Sequence, residues 1–575
     1  MPFTSTRPTP GLAHHRASAV AAASLLAAAA ALAPAGAARA APNGAALQPQ
    51  MGWSSWSLLR MNISQAAIQA QAKAIHKSGL QGLGYAYVNV DDGWYLNPVT
   101  TVDAYGRWAV DHAKFPAGVG ALADNVHKLG LKLGWYLTPG IPVAAYDQNT
   151  PIKGTAFHAR DIVSDTANHE ANYNFANSMY YIDWGRNPAA AQAYLDSWAK
   201  QLATWGVDYV KLDGVGSWDA ADVTGWYQAL LHSGRTIHLE LSNALAIGDG
   251  NLWRQNANGW RIDGDIECYC ATVTDWNHVR SRFDDAPRWT QYAGPGAWND
   301  LDSIEPASGL TGDERRTQMS LWAIVAAPLL LGLDTTTLSA DDLATVANPE
   351  VIAIDQAGNP GHPLAQGAQQ TWIAYDADGS FSVALFNLDA QAANVGVQWS
   401  QLGFSGSALV HDAWARADLG SFADGYNATL SPHASRLLKV TPPAGSVQQT
   451  MLASPATSRC LTAPPAAGAQ LTISDCAFPR GDNQVFAYGA DKTLRVQGLC
   501  LDVKEQSITQ GAEVDTYACN GQDNQHWTRN ADGSFTGVQS GLCLDVSGGL
   551  TTSGNGTPVI IWPCHGGDNQ KWLRR

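Results

Sequence analysis

The chain is poor in basic residues. Its 575 residues include 35 lysines and arginines against 50 aspartates and glutamates, a formal net charge of −15. Nucleic acids are bound by concentrated positive charge, so this balance argues against a nucleic-acid partner. Charged residues make up only 15% of the sequence and apolar residues 45%, which excludes a disordered chain and a coiled coil. The length predicts several domains, or one large domain with smaller modules.

Long apolar runs are also scarce, and the one present lies near the N-terminus. Residues 17–33 are nearly all alanine, leucine and valine, behind a weakly basic start and ahead of a small-x-small motif at 38–40. This order is typical of a secretory signal peptide. A membrane helix is the alternative, which the Ala-rich composition and Pro34 disfavour. We therefore predict that residues 1–40 are a signal peptide and that the protein is secreted. The alanine-rich composition and this leader also predict a bacterial source.

Cysteine is nearly absent before residue 450. Only Cys268 and Cys270 occur there, and the sequence does not predict whether they are oxidised. The other six follow in the C-terminal segment: Cys460, Cys476, Cys500, Cys519, Cys543 and Cys564. In an exported protein an even set of this kind indicates disulfides. A metal site is the alternative for these cysteines, but no Cys-x-x-Cys pair supports it. The sequence shows no other cluster of metal ligands, and we expect no metal and no cofactor.

The C-terminal segment is built from a threefold repeat. An Asp-Asn-Gln phrase recurs at residues 482–484, 523–525 and 568–570, and each time an aromatic residue follows two positions after the glutamine. Units of about 40 residues that cannot fold alone predict a threefold architecture. The phrase resembles the Gln-x-Trp repeat of ricin-type β-trefoil lectins, which implies a carbohydrate-binding β-trefoil over residues 450–575.

The lectin resemblance also implies which residues bind sugar. Each repeat would hold one disulfide, and each site would use an Asp after the first cysteine and an aromatic residue before the second. Thr462 and Ser474 occupy these places in the first repeat, which we expect to be inactive. A purely structural trefoil is the alternative. The implied disulfides are Cys460–Cys476, Cys500–Cys519 and Cys543–Cys564, and the implied sugar-binding residues are Asp502, Tyr517, Asn524, Asp545, Trp562 and Asn569.

Residues 42–338 alternate short apolar runs with amphipathic stretches. Examples are the apolar run at 85–90 and the helical pattern at 188–205. Alternation over roughly 300 residues, with polar residues at strand ends, predicts a (β/α)8 TIM barrel. Short alternating segments over 350–440 predict an antiparallel β-sandwich domain, and residues 441–449 read as a linker. The 22 tryptophans fit either sugar stacking or large cores.

Carboxylates follow several predicted barrel strands. Asp91 and Asp92 come after one strand, Asp213 after a second, and Asp265 after a third. The carboxyl ends of barrel strands meet at one face, where these side chains would share a pocket. Glycoside hydrolysis needs two carboxyl groups, one ionised and one protonated. The alternative is that each Asp caps a following helix, which four such positions together make less attractive.

Five motifs, in order, resemble glycoside hydrolase family 27, the α-galactosidase family, from about residue 50 to 440. They are Met51-Gly52-Trp53-Ser54-Ser55-Trp56, Asn89-Val90-Asp91-Asp92-Gly93-Trp94, Tyr209-Val210-Lys211-Leu212-Asp213-Gly214, Ala293-Gly294-Pro295-Gly296-Ala297-Trp298-Asn299-Asp300 and Thr317-Gln318-Met319-Ser320-Leu321-Trp322-Ala323-Ile324. The resemblance implies a secreted, retaining exo-enzyme that releases terminal α-D-galactose by double displacement, with the two carboxyls about 5 Å apart.

The same resemblance assigns roles at the active site. Asp213 would be the nucleophile and Asp265 the acid/base, whose pKa should lie above that of the nucleophile. The implied substrate-binding residues are Trp53, Asp91, Asp92, Tyr136, Lys211, Ser242 and Arg261. Of these, Lys211 and Arg261 would keep Asp213 ionised, and Asp91 and Asp92 would bind the 4- and 6-hydroxyls of galactose.

Departures from the family pattern leave the substrate open. Ser242 resembles the N-acetylgalactosaminidases, but Leu245 does not leave the matching space. Leu301 replaces a usual proline. Residues 139–183 are longer than the usual connection and could form a site for the leaving group, or a surface insertion without a role. β-L-Arabinopyranosidases and isomalto-dextranases belong to the same family, and an inactive lectin is the alternative from another class. The sequence leaves the oligomeric state undetermined.

Overall fold

The computed structural model describes residues 43–306, 309–444, 446, 449–477, 480–530, 532–549 and 554–575. The predicted signal peptide at 1–40 lies outside these residues. No helix in the described ranges is long and apolar enough to cross a membrane.

The first domain is a closed parallel barrel, as the sequence predicts. Ile304, just past the seventh strand, bridges in parallel to Leu331 of the eighth, which itself pairs with the first and so closes the cylinder. Each other strand pairs with the next along the chain. The strands are β1 (Met51–Ser54), β2 (Tyr87–Val90), β3 (Lys132–Leu137), β4 (Tyr209–Leu212), β5 (His238–Leu241), β6 (Gly259–Arg261), β7 (Trp298–Asp300) and β8 (Leu329–Leu331).

Local sequence signals set the helix ends. Ser64 accepts a hydrogen bond from the Ala67 N–H at the start of the second helix, and Gly79 ends that helix at a φ of 87°. Both are ordinary capping chemistry. The helices of the described chain are Trp56–Leu59, Gln65–Ser78, Gly118–His127, Val143–Gln148, Pro188–Trp205, Ala220–His232, Gly250–Asn256, Trp276–Trp289, Gly312–Val325, Ala340–Val346 and Pro349–Gln356.

Tryptophan mainly fills cores. At least twelve of the 22 tryptophan side chains are fully buried, most of them between the barrel strands and their helices. Aromatic side chains of this size contribute heavily to core stability. Tryptophan abundance therefore does not by itself mark sugar binding in this chain.

The second domain is an antiparallel sandwich, as predicted. A six-stranded sheet packs against a two-stranded one around a core that includes Phe381, Trp399 and Leu438. The sheet strands are His362–Ala365, Gln369–Tyr375, Phe381–Asn387, Ser407–Asp412, Ala417–Ala423 and Ser435–Thr441, and the pair is Ala393–Gln398 with Gly425–Leu430.

The third domain is the predicted β-trefoil, and its three repeats are equivalent in register. In the strand register, Cys460 lies opposite Ser474, Cys500 opposite Tyr517 and Cys543 opposite Trp562. Its strands are Gln449–Thr450, Leu452–Ser454, Arg459–Thr462, Thr472–Ser474, Phe486–Tyr488, Leu494–Val496, Leu499–Val503, Val514–Tyr517, Trp527–Arg529, Phe535–Gly537, Cys543–Val546, Thr557–Trp562 and Leu573–Arg574.

All four possible disulfides are formed. The trefoil holds Cys460–Cys476, Cys500–Cys519 and Cys543–Cys564, as the lectin resemblance implies. Cys268 and Cys270, which the sequence left undecided, are joined to each other.

The trefoil is fastened to both preceding domains through arginines. Buried Arg254 of the barrel donates to the Pro455 carbonyl, and buried Arg575 donates to carbonyls at Ala293 and Pro360. Arg480, in the first repeat, donates to the hydroxyl of Tyr375 in the sandwich at 2.6 Å. The first repeat, which lacks the sugar-binding pattern, thus docks against both preceding domains, together with the C-terminal end of the third repeat.

Candidate active site

The carboxyl ends of the barrel strands bring together the residues expected at the active site. Tyr136 near the end of β3 donates its hydroxyl to Asp213 Oδ2 at 3.1 Å, and the main-chain N–H of Asp213 donates to the Leu137 carbonyl at 2.9 Å. Burial and the nearby Asp213 carboxylate raise the pKa of Tyr136 well above its ordinary value. Tyr136 therefore stays protonated and keeps donating to Asp213.

Lys211 is a buried cation shared by several carboxylates. Its Nζ lies 2.9 Å from Asp91 Oδ2, so its direct partner is Asp91 rather than Asp213. Burial disfavours the charge, but Asp91, Asp213 and Asp265 together raise the pKa of Lys211 well above its usual value. The lysine thus supplies a permanent positive charge between the predicted sugar-binding and catalytic carboxylates.

Asp91 and Asp92 form an adjacent pair of buried carboxyls after β2. The Asp91 N–H donates to Ser55 Oγ at 2.9 Å, and Asp91 Oδ1 accepts from the Asp92 N–H at 2.8 Å. Burial raises the pKa of Asp91, against the pull of Lys211, and burial together with Asp91 raises the pKa of Asp92 to about 7. Two such groups can offer hydrogen-bond acceptors and, near neutral pH, a proton to sugar hydroxyls.

Asp265 lies in a network of donors. Arg261 Nη2 is 3.2 Å from Asp265 Oδ1, and the hydroxyl of Tyr269 donates to Oδ2. Burial opposes ionisation, but Arg261, Lys211 and Tyr269 outweigh it and lower the pKa of Asp265 to about 2. The free site thus stabilises the carboxylate form of Asp265.

Arg261 also pairs with Asp302 through the same nitrogen. Their Nη2–Oδ2 distance is 2.7 Å, so the arginine pairs with Asp302 and Asp265 and not directly with Asp213. The carboxylate oxygens of Asp265, Glu267 and Asp302 lie within 4.8 Å of one another, a spacing that a metal ion could use. The guanidinium already neutralises two of the three groups, which fits an ion-pair network better than a cation site.

Trp53 and Ser242 are both buried at the strand ends. The Trp53 side chain is inaccessible to solvent and donates to the Leu333 carbonyl at 2.8 Å. Ser242 lines a small cavity inside the barrel with Asp91, Lys211 and Arg261, and within the described residues its hydroxyl has no hydrogen-bond partner. A buried hydroxyl of this kind is available to a ligand that reaches it.

Three exposed aromatic residues at this end of the barrel were not identified from the sequence. Tyr173, Trp218 and Tyr269 are 60%, 69% and 61% exposed. Across the described ranges the other exposed Tyr, Trp or Phe side chains are the two trefoil aromatics, Tyr517 at 53% and Trp562 at 38%. The exposed aromatic residues described here thus lie either at the catalytic end of the barrel or in the trefoil repeats with the lectin pattern. In the sequence only their positions could have marked two of them: Trp218 lies five residues after Asp213, and Tyr269 lies between two cysteines.

The second and third trefoil repeats share one polar arrangement. Asn524 Nδ2 donates to Asp502 Oδ1 at 2.8 Å, and Gln525 Nε2 donates to Oδ2 at 2.7 Å, beside Tyr517.

In the third repeat, Asn569 and Gln570 donate to Asp545 at 3.0 and 2.8 Å, and Trp562 lines the same pocket. In the first repeat Thr462 stands in place of the Asp and accepts from Gln484 at 2.9 Å. The sequence-based distinction between the repeats thus has a visible counterpart in their side chains.

Three family models match the chain. "Alpha galactosidase A" matches residues 48–155 and 179–357, "Alpha galactosidase C-terminal beta sandwich domain" matches 366–440, and "Ricin-type beta-trefoil lectin domain" matches 448–572.

Relatives of known name cover most of the first two domains. Alpha-galactosidase 2 of Arabidopsis thaliana is 30% identical over 69% of this chain and 91% of its own length, and the alpha-galactosidase of Cyamopsis tetragonoloba is 31% identical over 70% and 88%. Among solved structures, a GH27 β-L-arabinopyranosidase from Geobacillus stearothermophilus is 31% identical with a TM-score of 0.64, over 70% of this chain and 98% of that one. Alpha-galactosidase I of Mortierella vinacea is 28% identical with a TM-score of 0.57, over 69% and 98%.

A parallel barrel that gathers paired carboxylates at its strand ends, joined to a lectin-type trefoil, defines a glycoside hydrolase with a carbohydrate-binding module. The chain belongs to the α-galactosidase family, glycoside hydrolase family 27.

Proposed function

We propose that the protein is a secreted, retaining exo-α-galactosidase in which Asp213 is the nucleophile and Asp265 the acid/base. The observation that carries the proposal is that both carboxylates lie at the carboxyl ends of the barrel strands, within reach of one cation and of their own hydrogen-bond donors. Lys211 interacts with both, Tyr136 holds the first, and Arg261 with Tyr269 holds the second.

In the first step the ionised Asp213 attacks the anomeric carbon. The bond to the leaving oxygen breaks, and that oxygen takes a proton from Asp265, which gives a covalent glycosyl-enzyme. Tyr136 orients the nucleophile through its hydrogen bond, and Lys211 keeps a positive charge beside it. Because the free site favours ionised Asp265, bound substrate must weaken its contacts with Arg261 or Tyr269 for the acid to hold a proton.

In the second step water attacks the anomeric carbon and breaks the ester to Asp213. Asp265 then acts as base and takes the proton of that water, which restores both groups. The donors around Asp265 favour this ionised form. Two inversions at one carbon give overall retention of configuration.

Galactose is the substrate that the sugar-binding residues favour. Asp91 and Asp92 supply paired acceptors suited to the 4- and 6-hydroxyls, and both carboxyls are buried. A sugar that lacks one of these hydroxyls would therefore leave a buried carboxyl without that hydrogen bond. β-L-Arabinopyranose, which lacks the hydroxymethyl group, is the second candidate because one similar structure has that activity in its name.

The trefoil would hold the enzyme on polysaccharide through its second and third repeats. Asp502 with Asn524 and Asp545 with Asn569 present fixed carboxylates beside exposed aromatic rings. Additional weak sites raise the residence time of the enzyme on a polymer. An export leader and four disulfides support secretion, and the leader composition suggests a bacterium.

The test compares three aryl glycosides: α-galactoside, β-L-arabinopyranoside and N-acetyl-α-galactosaminide. We expect the highest kcat/KM on the α-galactoside, loss of activity by several orders of magnitude in Asp213→Asn, and α-galactose as the first product seen by proton NMR. Preference for the arabinopyranoside would reassign the substrate. No release from any of the three by the wild-type protein would end the hydrolase proposal.

A further inference from the structure

The segment 156–178 lies outside the part of the chain that the α-galactosidase family model matches. It nevertheless packs against the catalytic strand ends. A Cβ at Gly214, the residue after Asp213, would stand 2.7 Å from Ala171 Cβ, and Gly214 has a φ of 79°. Close approach of the two backbones therefore depends on glycine at this position. The segment is built into the mouth of the active site.

Buried polar groups fix the segment there. Asn172 is 7% exposed, and its Oδ1 accepts from the Tyr95 hydroxyl at 3.1 Å and from the Phe175 N–H at 2.8 Å. Glu170 is 3% exposed, and its main-chain N–H donates to Met179 at 2.9 Å. The Asn172–Tyr95 contact joins the segment to the residues that follow Asp92 on the barrel. Packing of this kind gives a preformed surface.

Tyr173 and Trp218 present aromatic rings from this surface. The Tyr173 ring and hydroxyl lie 3.6 and 3.8 Å from the Cβ position of Gly214, and the hydroxyl interacts with Asn243. Tyr173 also lies within electrostatic range of Asp213 and Asp265. The indole of Trp218 lies over Gly216 and interacts with Glu170. The segment 156–178 holds both rings, because Tyr173 belongs to it and its Glu170 contacts Trp218.

Exposed aromatic rings beside a catalytic site offer apolar area, and a ligand that covers it gains free energy from the burial. The occupant must be flat-faced and apolar on one side and must sit next to the bond that Asp213 and Asp265 would cleave. A pyranose ring has such a face, formed by its axial C–H groups.

We propose that Tyr173 and Trp218 form the binding site for the first sugar of the leaving group. The inference rests on the proposed glycosidase function and assigns substrates with a neutral pyranose, rather than a simple alkyl group, on the leaving side.

The test uses the full-length chain and two substrates with the same galactosyl unit. One is α-galactosyl fluoride, whose leaving group is a single atom and cannot reach the site. The other is an α-1,6-galactosyl disaccharide. In Tyr173→Ala and Trp218→Ala the ratio of kcat/KM for disaccharide to that for fluoride should fall about tenfold each, because lost leaving-group binding is expressed in the transition state. The matched control is Leu409→Ala, a side chain in the sandwich that is 61% exposed, close to the 60% of Tyr173.

A second readout is transfer to added hexose during fluoride turnover. A working site should capture the hexose and give a disaccharide, and both variants should shift the products towards free galactose. Equal losses on fluoride and disaccharide, or an unchanged ratio together with unchanged transfer, would overturn the leaving-group site while leaving the glycosidase intact. Failure of the wild type to hydrolyse the fluoride would instead refute the proposed function.

Discussion

Replacing Tyr269 by phenylalanine tests how the acid/base is tuned. The hydroxyl of Tyr269 donates to Asp265 Oδ2, and this contact is one of the causes that lower the pKa of Asp265. Phenylalanine keeps the ring, over which Arg60 lies at 4.6 Å, and removes the hydroxyl, which also accepts from Trp56 Nε1 at 3.1 Å. A donor to a carboxylate stabilises its ionised form, so removing it should raise the pKa of Asp265.

The size of the shift follows from the strength and exposure of this hydrogen bond. A hydrogen bond to a charged group contributes about 1.5–3 kcal/mol, or about one to two pKa units at 1.36 kcal/mol each. Tyr269 is 61% exposed, so water replaces much of what is lost. We therefore expect an upward shift of about half to one unit.

The assay is the pH profile of kcat on an aryl α-galactoside, which reports essential groups of the enzyme–substrate complex, where Asp265 must hold its proton. A higher pKa keeps Asp265 protonated to higher pH, so the alkaline limb of Tyr269→Phe should move upward by that amount. Tyr426→Phe, in the sandwich, is the matched control. An alkaline limb that moved downward, or that stayed in place in Tyr269→Phe, would refute the role assigned to this hydroxyl.

Three further substitutions probe other parts of the molecule. Gly214→Ala should destabilise the fold by about 1–3 kcal/mol, measured by thermal or urea unfolding, because it combines a positive φ with a 2.7 Å approach to Ala171; a fully stable variant would contradict the packing described. Trp562→Ala should weaken retention on galactose-bearing polysaccharide about tenfold in a pull-down, and undiminished binding would remove the third repeat from the proposal. Arg254→Ala should lower the melting temperature by a few degrees, since it leaves the Pro455 carbonyl without its buried donor, and an unchanged transition would show that this contact is dispensable.

The sequence predicted features that depend on local pattern. Strand–helix alternation indicated the barrel, and the repeated Asp-Asn-Gln phrase indicated the trefoil with its three disulfides. The carboxylates Asp91, Asp213 and Asp265 could be placed together because parallel strands end at one face.

Contacts between side chains of distant segments could not be predicted from the sequence. The pairing of Lys211 with Asp91 and of Arg261 with Asp302 depends on side-chain geometry, since several carboxylates stand within reach of each cation. The low pKa of Asp265 arises from Arg261 and Lys211 and, to a smaller extent, from Tyr269, which the motif Cys-Tyr-Cys does not mark as a donor. The site residues taken from the family resemblance stay predictions of role, although their positions are now described.

The arginine contacts of the trefoil have a consequence for how the enzyme meets a polymer. A module on a flexible tether raises local concentration by an amount that depends on tether length. Here Arg254 and Arg480 fasten the first repeat, and Arg575 the C-terminal end of the third, to the barrel and the sandwich. The two repeats proposed to bind sugar therefore keep a constant separation from the catalytic mouth. When the trefoil holds a polysaccharide, the active site would therefore reach only side branches that lie at this fixed distance from the bound part of the polymer.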